Sequence, residues 1–141
     1  MSSSNRLDLS FLKQALKQFD LAIAEYEAEP ERRANRDSVV MHFLFTFELT
    51  MQAIKRYLEL QSLKSDQVSD LSFQTIIRRA DDLGIVRTGW PGFGKFRDAR
   101  NAIAHTYTEQ RALAVVGWSK DFAVEAHFLL EALERRAADE D

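Results

Sequence analysis

The sequence predicts an all-α fold: an antiparallel up-and-down four-helix bundle with one short extra helix, formed by a single domain that dimerises. Three observations support this prediction. The chain has 141 residues, enough to bury one core. Glycine (5) and proline (2) are scarce. Apolar residues recur at helical steps of three and four, without the alternation typical of strands. We expect one domain over residues 1–141, with flexible tails at 1–8 and 137–141.

The first two helices are predicted from their apolar patterns. Residues 9–29 carry one apolar stripe, and Pro30 is a plausible stop. A second helix is expected from a cap at Asp37 or Ser38 to about Leu60. Its middle, VVMHFLFTFELTMQAI, is apolar on nearly all sides. We therefore expect one face in its own bundle and another under a partner subunit or protein. The alternative is the central core helix of a monomer.

The remaining helices are separated by two kinds of connection. A polar segment predicts a loop that ends at Ser72, a candidate cap for a third helix over 73–83. Four of the five glycines then fall in GIVRTGWPGFG, which predicts a connection rather than an element. A short fourth helix is expected from about 93 to 104, and a last helix from about 109 to 136.

Composition restricts the possible chemistry. Cysteine is absent, which excludes disulfides, thiolate zinc sites and cysteine nucleophiles and is compatible with the reducing cytoplasm. The N-terminal residues do not resemble a signal peptide, and no apolar run approaches the length of a membrane span. We therefore expect a cytoplasmic protein that does not enter membranes. The net charge of −3 gives no general support for nucleic-acid binding. Residues 78–100, however, hold six cations against three anions, and Lys95 and Arg97 in this stretch are candidate RNA- or phosphate-binding residues.

The segment RNAIAHTY, residues 100–107, concentrates polar functional groups in a helical sequence. On a helical wheel, Arg100 falls inside an apolar arc, so its guanidinium must be paired or must open onto a cleft. Glu48, isolated in the apolar second helix, is its candidate partner. Asn101 and His105 share another face, roughly 140° away from Arg100. One regular helix therefore cannot easily grip a single phosphate with both Arg100 and His105, whereas two copies meeting across a twofold axis could.

RNA cleavage is the chemistry that would use these groups. An imidazole that titrates near neutrality can take the proton from a ribose 2′-OH or deliver one to the leaving oxygen. An arginine can stabilise the negative charge that grows on the phosphate. Asn101 could orient His105 or the phosphate, and Tyr107 would lie at the mouth of the cleft. This reaction needs neither a metal nor a cofactor, and we expect none.

Structural roles are the alternative for each of these residues. A histidine in the last turn of a helix commonly interacts with the helix dipole, and a nearby asparagine commonly serves a turn. His42 and His127 are interpreted as core or interface residues. The three histidines are too scattered to indicate a zinc site. The sequence also lacks a phosphate-binding glycine loop and a GxSxG nucleophile elbow.

Two segments, RDSVVMHFLFTFELTMQAIKRYLE and FRDARNAIAHTYTE, resemble the bacterial nucleotidyltransferase substrate-binding proteins, a branch of the HEPN superfamily. The most specific part is Arg-x4-His-x-Tyr at Arg100, His105 and Tyr107. The resemblance implies a dimerising helical bundle encoded next to a minimal nucleotidyltransferase. It further implies an RNase toxin acting on RNA such as tRNA, with Arg100 and His105 of both protomers catalytic and Asn101 supporting them. The nucleotidyltransferase would be the antitoxin, and it would attach AMP to Tyr107.

Three hypotheses follow from the sequence. The first is a metal-independent endoribonuclease toxin of a two-gene toxin–antitoxin system, neutralised by AMP transfer to Tyr107. The second is a noncatalytic dimer that binds nucleotide or substrate for a separate nucleotidyltransferase. The third is a structural bundle with a fortuitous motif. Growth arrest and RNA cleavage without the partner would support the first hypothesis over the others.

Overall fold

Five α-helices account for most of the structure, a computed structural model that describes residues 7–61, 68 and 70–140. Those residues contain no strand, which confirms the predicted all-α class. None of these helices is both long and apolar enough to cross a lipid bilayer. The helices are α1 (Ser10–Ala28), α2 (Arg33–Gln61), α3 (Phe73–Asp82), α4 (Gly89–His105) and α5 (Glu109–Glu140).

Four long helices form the bundle, and α3 is the short extra one. α1 packs on α2 and α5, α2 also packs on α5, and α4 packs on α5. α3 lies against α4 and α2. The short connections between α1 and α2 and between α4 and α5 make these neighbours antiparallel. The prediction that the fourth helix is the short one is therefore wrong, because α4 has 17 residues and α3 has 10.

An aromatic cluster joins the four long helices at one point of the core. Phe122 of α5 lies at its centre, with its ring centroid 5.2 Å from Phe43 and 5.7 Å from Phe47, both on α2. The same ring lies 6.1 Å from Phe19 of α1 and 5.2 Å from Phe96 of α4. Tilted and edge-on contacts at these distances are favourable beyond their burial alone. Packing around Phe122 thus fixes α4, the helix that carries the motif, against the other three.

The start of α2 differs from the prediction. The helix begins at Arg33, four residues before Asp37 and five before Ser38, the two predicted caps. The turn before it closes through backbone hydrogen bonds, and the Asn35 side chain donates to the carbonyl of Glu29 at the end of α1 (3.0 Å). Because these groups organise the turn, the side chains of Asp37 and Ser38 are not needed as caps. Asp37 instead lies within the first turns of α2, and its partly exposed side chain is available for other contacts.

The outer face of α2 is not covered by the bundle. Its inner residues, such as Phe43 and Ile54, are fully buried. Met41 and Phe45 are respectively 49% and 59% exposed, and they lie one helical turn apart. Exposed apolar neighbours of this kind often indicate an interaction surface. The bundle of one chain therefore does not enclose the second helix on all sides. That a partner subunit or protein covers this face stays a prediction.

The N-terminal end of α3 agrees with its sequence signal. Ser72 is the cap residue, and its hydroxyl accepts a hydrogen bond from the backbone N–H of Thr75 (3.2 Å). The helix ends before Gly84, whose φ of +75° is the left-handed conformation that favours glycine. The backbone N–H of Ile85 then reaches the carbonyl of Ala80 (3.1 Å), which closes the turn.

The glycine-rich connection is shorter than predicted, because α4 begins at Gly89 rather than near Phe93. Pro91 lies in the first turn of the helix, where its missing N–H removes no helical hydrogen bond. The carboxylate of Glu125 on α5 accepts hydrogen bonds from the backbone N–H groups of Arg87 (2.6 Å) and Thr88 (3.0 Å). It also accepts one from the Thr88 hydroxyl. This buried carboxylate stabilises a helix start that the glycines alone would disfavour.

The last helix runs four residues beyond its predicted end at Arg136. α5 continues to Glu140, so the segment predicted as a C-terminal tail is helical as far as this residue. Near this end, the Arg136 guanidinium donates to the Tyr57 hydroxyl (3.0 Å) and to the carbonyl of Leu83. At the other end, Leu7 packs against the core. The rest of the predicted tails, residues 1–6 and 141, lies outside the described residues.

Candidate functional site

The motif occupies the C-terminal end of α4 and the connection after it. α4 remains helical through His105, and Thr106 adopts an extended conformation. The last carbonyls of a helix lack partners within the helix. Arg111 of α5 supplies partners, because its Nη1 donates to the carbonyls of Ala102 and Thr106 (both 3.1 Å). This contact fixes the helix end next to His105.

Arg100 lies on the side of α4 that faces α2. Its side chain is 40% exposed, and its Nη2 lies 3.7 Å from Oε2 of Glu48. Its Nη1 donates to Oδ1 of Asn101 (3.0 Å). The guanidinium borders a cleft of about 280 Å³ between α2, α3 and α4. Arg100 is therefore held by two neighbours, but it keeps access to solvent, as binding a phosphate requires.

His105 opens onto a different surface. It lines a groove of about 560 Å³ together with Arg111 and residues of the connection between α4 and α5. The Arg100 cleft and the His105 groove have no lining residue in common. Because α4 is helical at both residues, the angular separation expected from the wheel applies. Neither the Arg100 cleft nor the His105 groove is therefore lined by both residues.

The two candidate RNA-binding cations also lie in different places. Arg97 borders the Arg100 cleft, and its guanidinium carbon lies 5.1 Å from the centre of the Phe73 ring. Lys95 lines a separate cavity, with its Nζ 5.4 Å from the centre of the Trp118 ring. Arg97 can therefore add positive charge beside Arg100. Lys95 is not part of that cleft.

Tyr107 belongs to a polar group that we call the Tyr107 cluster: Arg36, Asp37, Tyr107 and Glu109. The Tyr107 side chain is half exposed, and its hydroxyl donates to Oδ1 of Asp37 on α2. The Arg36 guanidinium lies 3.4 Å from Oδ1 of Asp37 and 3.4 Å from Oε1 of Glu109 at the start of α5. Local sequence patterns do not reveal the contact with Asp37, because this residue lies 70 positions from Tyr107 and is also a candidate helix cap.

The environment of Tyr107 shifts its acid–base behaviour. Partial desolvation, together with the hydrogen bond to Asp37 and the charge of Asp37, raises the pKa of the phenol above its usual 10.0, while Arg36 opposes this effect. The phenol is therefore neutral at physiological pH. Its proton is held by a hydrogen bond to a carboxylate.

We expect the Tyr107 phenol to titrate above pH 10.0 in the folded protein. Since the folded state then holds this proton more tightly than the unfolded chain, the associated stabilisation is complete below pH 10.0 and is lost as the pH rises through the folded pKa. An NMR titration of tyrosine labelled at the ring carbon that bears the hydroxyl measures this pKa, with Tyr107→Phe to assign the resonance. Asp37→Asn should move the pKa back towards 10.0, and an unchanged value would contradict the role given to Asp37.

Metal ligation finds no support in the described residues, which contain no group of three or more His, Cys, Asp or Glu side chains placed to hold an ion. His127 pairs with Asp20 (2.7 Å) between α5 and α1, and Nδ1 of His42 donates to the carbonyl of Ser38 (2.8 Å) within α2. Both histidines thus have structural partners away from the motif.

Comparison with known proteins gives consistent results. Residues 7–135 match the family described as "Nucleotidyltransferase substrate binding protein like". A curated relative from Haemophilus influenzae, named "Probable ribonuclease HepT", is 33% identical over 99 residues, which is 69% of this chain and 66% of the relative. A solved structure from the same species, described as the fold of a substrate binding domain of a nucleotidyltransferase, superposes with a TM-score of 0.82 at 25% identity. It covers 90% of this chain and 99% of that one.

Proposed function

This chain belongs to the nucleotidyltransferase substrate-binding protein-like family of the HEPN superfamily, and we propose that it is the endoribonuclease toxin of a two-gene toxin–antitoxin pair. The observation that carries this proposal is the end of α4, where a partly exposed Arg100 is held beside Asn101 and an exposed His105 borders a groove. The name of the curated relative supports the same activity. Its substrate would be cytoplasmic RNA such as tRNA.

The cleavage step uses the chain's own side chains. In one protomer, His105 acts as a general base on the ribose 2′-OH or as a general acid on the leaving 5′-oxygen. The bond between O2′ and phosphorus forms as the bond between phosphorus and O5′ breaks, leaving a cyclic phosphate and a free 5′-hydroxyl. Arg100 stabilises the charge that accumulates on the phosphate oxygens. Asn101 supports this role by fixing the guanidinium through the 3.0 Å hydrogen bond.

A homodimer is part of this proposal, because Arg100 and His105 of one chain face different openings. Two copies related by a twofold axis could place Arg100 of one protomer near His105 of the other. The exposed Met41 and Phe45 favour α2 as the contact surface, since Glu48 continues the same side of the helix and pairs with Arg100. Light scattering at micromolar concentration tests this, and a monodisperse monomer would overturn it.

The partner would be a minimal nucleotidyltransferase encoded nearby that transfers AMP to Tyr107. Addition of AMP would bring bulk and negative charge to a residue two positions past His105, and both effects would oppose RNA binding there. The half-exposed Tyr107 side chain supports access by such an enzyme. A short nucleotidyltransferase reading frame beside this one is the first observation to look for.

Tyr107→Phe should abolish AMP incorporation while leaving RNA cleavage near the wild-type rate, because it removes the acceptor hydroxyl and keeps the ring. Cells expressing the partner should then tolerate the wild-type chain and stop growing with the variant. Mass spectrometry of the peptide that holds Tyr107 measures the modification. Tyr26→Phe, on α1, is the matched control. AMP still present on the Tyr107→Phe variant would contradict the assignment of this tyrosine.

A second candidate function is suggested by the descriptions of the family and of the solved relative, both of which refer to substrate binding for a nucleotidyltransferase. In that case Arg100 and His105 would hold a phosphate group without breaking a bond. Tight binding to the partner, with neither growth arrest nor RNA cleavage by the purified chain, would favour this function over the first.

A further inference from the structure

We propose that Asp37 and Arg36 form the acceptor half of the AMP-transfer site: Asp37 takes the proton of the Tyr107 hydroxyl, and Arg36 pairs with the phosphate that becomes attached to it. This inference rests on the proposed modification of Tyr107. It adds that the modified chain contributes its own catalytic base and its own phosphate ligand to the reaction.

Asp37 has the geometry of a proton acceptor. The Tyr107 hydroxyl donates its hydrogen to Oδ1 of this carboxylate before any nucleotide binds. A neutral phenol is a weak nucleophile near neutral pH and needs an adjacent base. The Asp37 side chain is 46% exposed, so a proton received there can pass on to water. The base therefore already contacts the nucleophile in the unmodified chain.

Arg36 has the geometry of a phosphate ligand that is already in place. Its side chain is only 11% exposed, so its position is restricted by packing. It touches Asp37 and Glu109 at 3.4 Å each, which is long for charged hydrogen bonds. Glu109 is 73% exposed and can turn into solvent at little cost. A phosphate on Tyr107 could therefore take the place of Glu109 beside the guanidinium, which suits bidentate binding of phosphate.

The co-reactant of the AMP transfer is ATP, which the nucleotidyltransferase binds. The hydroxyl oxygen of Tyr107 attacks the α-phosphorus, and a bond forms between these two atoms. The bond from the α-phosphorus to the oxygen that bridges it to the β-phosphorus breaks, and pyrophosphate leaves with the electron pair. The phenol proton moves to Asp37 and then to water.

The product explains why Arg36 is needed. The modified Tyr107 has lost the hydrogen that Asp37 accepted and carries a phosphodiester with one negative charge. Without a cation, this charge would lie beside the carboxylates of Asp37 and Glu109 and would be repelled by both. Arg36 offsets this repulsion, because it is already held against both carboxylates.

The test uses the full chain, the purified partner nucleotidyltransferase and magnesium ATP, with AMP on Tyr107 followed by intact mass. Asp37→Asn should lower kcat for AMP transfer about tenfold or more, with KM for ATP and for the acceptor chain nearly unchanged. Asp37→Glu should recover part of the rate. Arg33→Gln, at the exposed start of the same helix, is the matched control. RNA cleavage by the unmodified variants reports that the fold is intact.

A second measurement addresses Arg36. The thermal midpoint is compared before and after AMP addition, in the wild-type chain and in Arg36→Gln. The shift in thermal midpoint on AMP addition should be less favourable in Arg36→Gln than in the wild type by about 2 °C or more. Only the wild type has a guanidinium that can pair with the phosphate. Equal changes would overturn the role of Arg36.

The outcomes separate this inference from the function on which it rests. If the wild type and Arg33→Gln accept no AMP at Tyr107, the proposed modification fails together with this inference. If the wild type is modified and Asp37→Asn is modified equally fast, the inference alone is wrong. A loss in Asp37→Asn that appears in KM rather than kcat would also overturn it, since that pattern indicates misplacement of the tyrosine and not loss of a base.

Discussion

Alanine in place of His105 should reduce RNA cleavage by about 10²–10⁴-fold, because the reaction loses its proton-transfer group. Arg100→Ala should reduce it by about 10²–10³-fold, because the charge that forms on the phosphate loses its donor. The Arg100 side chain is partly exposed and His105 is exposed, so neither substitution should disturb the core. Cleavage of labelled tRNA by the purified variants measures the loss, and growth of cells without the partner provides a second readout.

Two controls match these substitutions. His127→Ala removes a histidine that pairs with Asp20 away from the motif, and Arg78→Ala removes an exposed arginine of α3. Both controls should cleave RNA at nearly the wild-type rate. If Arg100→Ala and His105→Ala remained as active as these controls, the nuclease assignment would fail.

Mixing the two inactive variants tests the dimeric site. A mixed dimer of Arg100→Ala and His105→Ala keeps one intact Arg100 and one intact His105 on opposite subunits. If the functional pair forms across the dimer, part of the activity should return after subunit exchange. If each chain held a complete site, every site in the mixture would be inactive and no activity would return.

Among the substitutions proposed here, Glu125→Ala should cause the largest loss of stability, about 3 kcal/mol in the free energy of unfolding. The Glu125 carboxylate is fully buried and accepts three hydrogen bonds from Arg87 and Thr88. Its removal leaves the backbone N–H groups of Arg87 and Thr88, just before the start of α4, without this acceptor. The thermal midpoint should fall by roughly 6–12 °C, as measured by circular dichroism.

Glu131→Ala is the matched control for this prediction, because Glu131 is an exposed glutamate on the same helix. Its midpoint should stay near that of the wild type. Glu125→Gln should fall between the two, since an amide oxygen still accepts but its NH₂ group opposes the backbone donors. A Glu125→Ala protein as stable as the control would show that the carboxylate does not hold α4.

Most of the fold could be predicted from local signals. The apolar stripes placed α1 and α5, and the serine at position 72 correctly identified the start of α3. The predicted starts of α2 and α4 were wrong because contacts with residues distant in sequence determine where these helices begin. The glycine-rich start of α4 depends on Glu125, which lies more than 30 positions further on, and no local rule could supply it. Likewise, α2 begins early because of contacts with the end of α1.

Part of the arrangement of the candidate site could be predicted from the sequence. A charge isolated in an apolar helix suggested Glu48 as the neighbour of Arg100, and the two side chains lie 3.7 Å apart. The separation of Arg100 and His105 follows from helix geometry alone. The surroundings of Tyr107 do not, because Arg36 and Asp37 reach it only through the packing of α2 against the bundle. The catalytic roles themselves stay predictions.

Both ends of α4 are attached to α5, at the start through Glu125 and at the end through Arg111. These two anchors lie 14 residues apart on α5, about 21 Å along a continuous helix. Unwinding either end of α4 would have to break the anchor at that end. Tyr107 lies between the two helices and outside both anchors. A modification of this side chain would therefore leave both anchors in place.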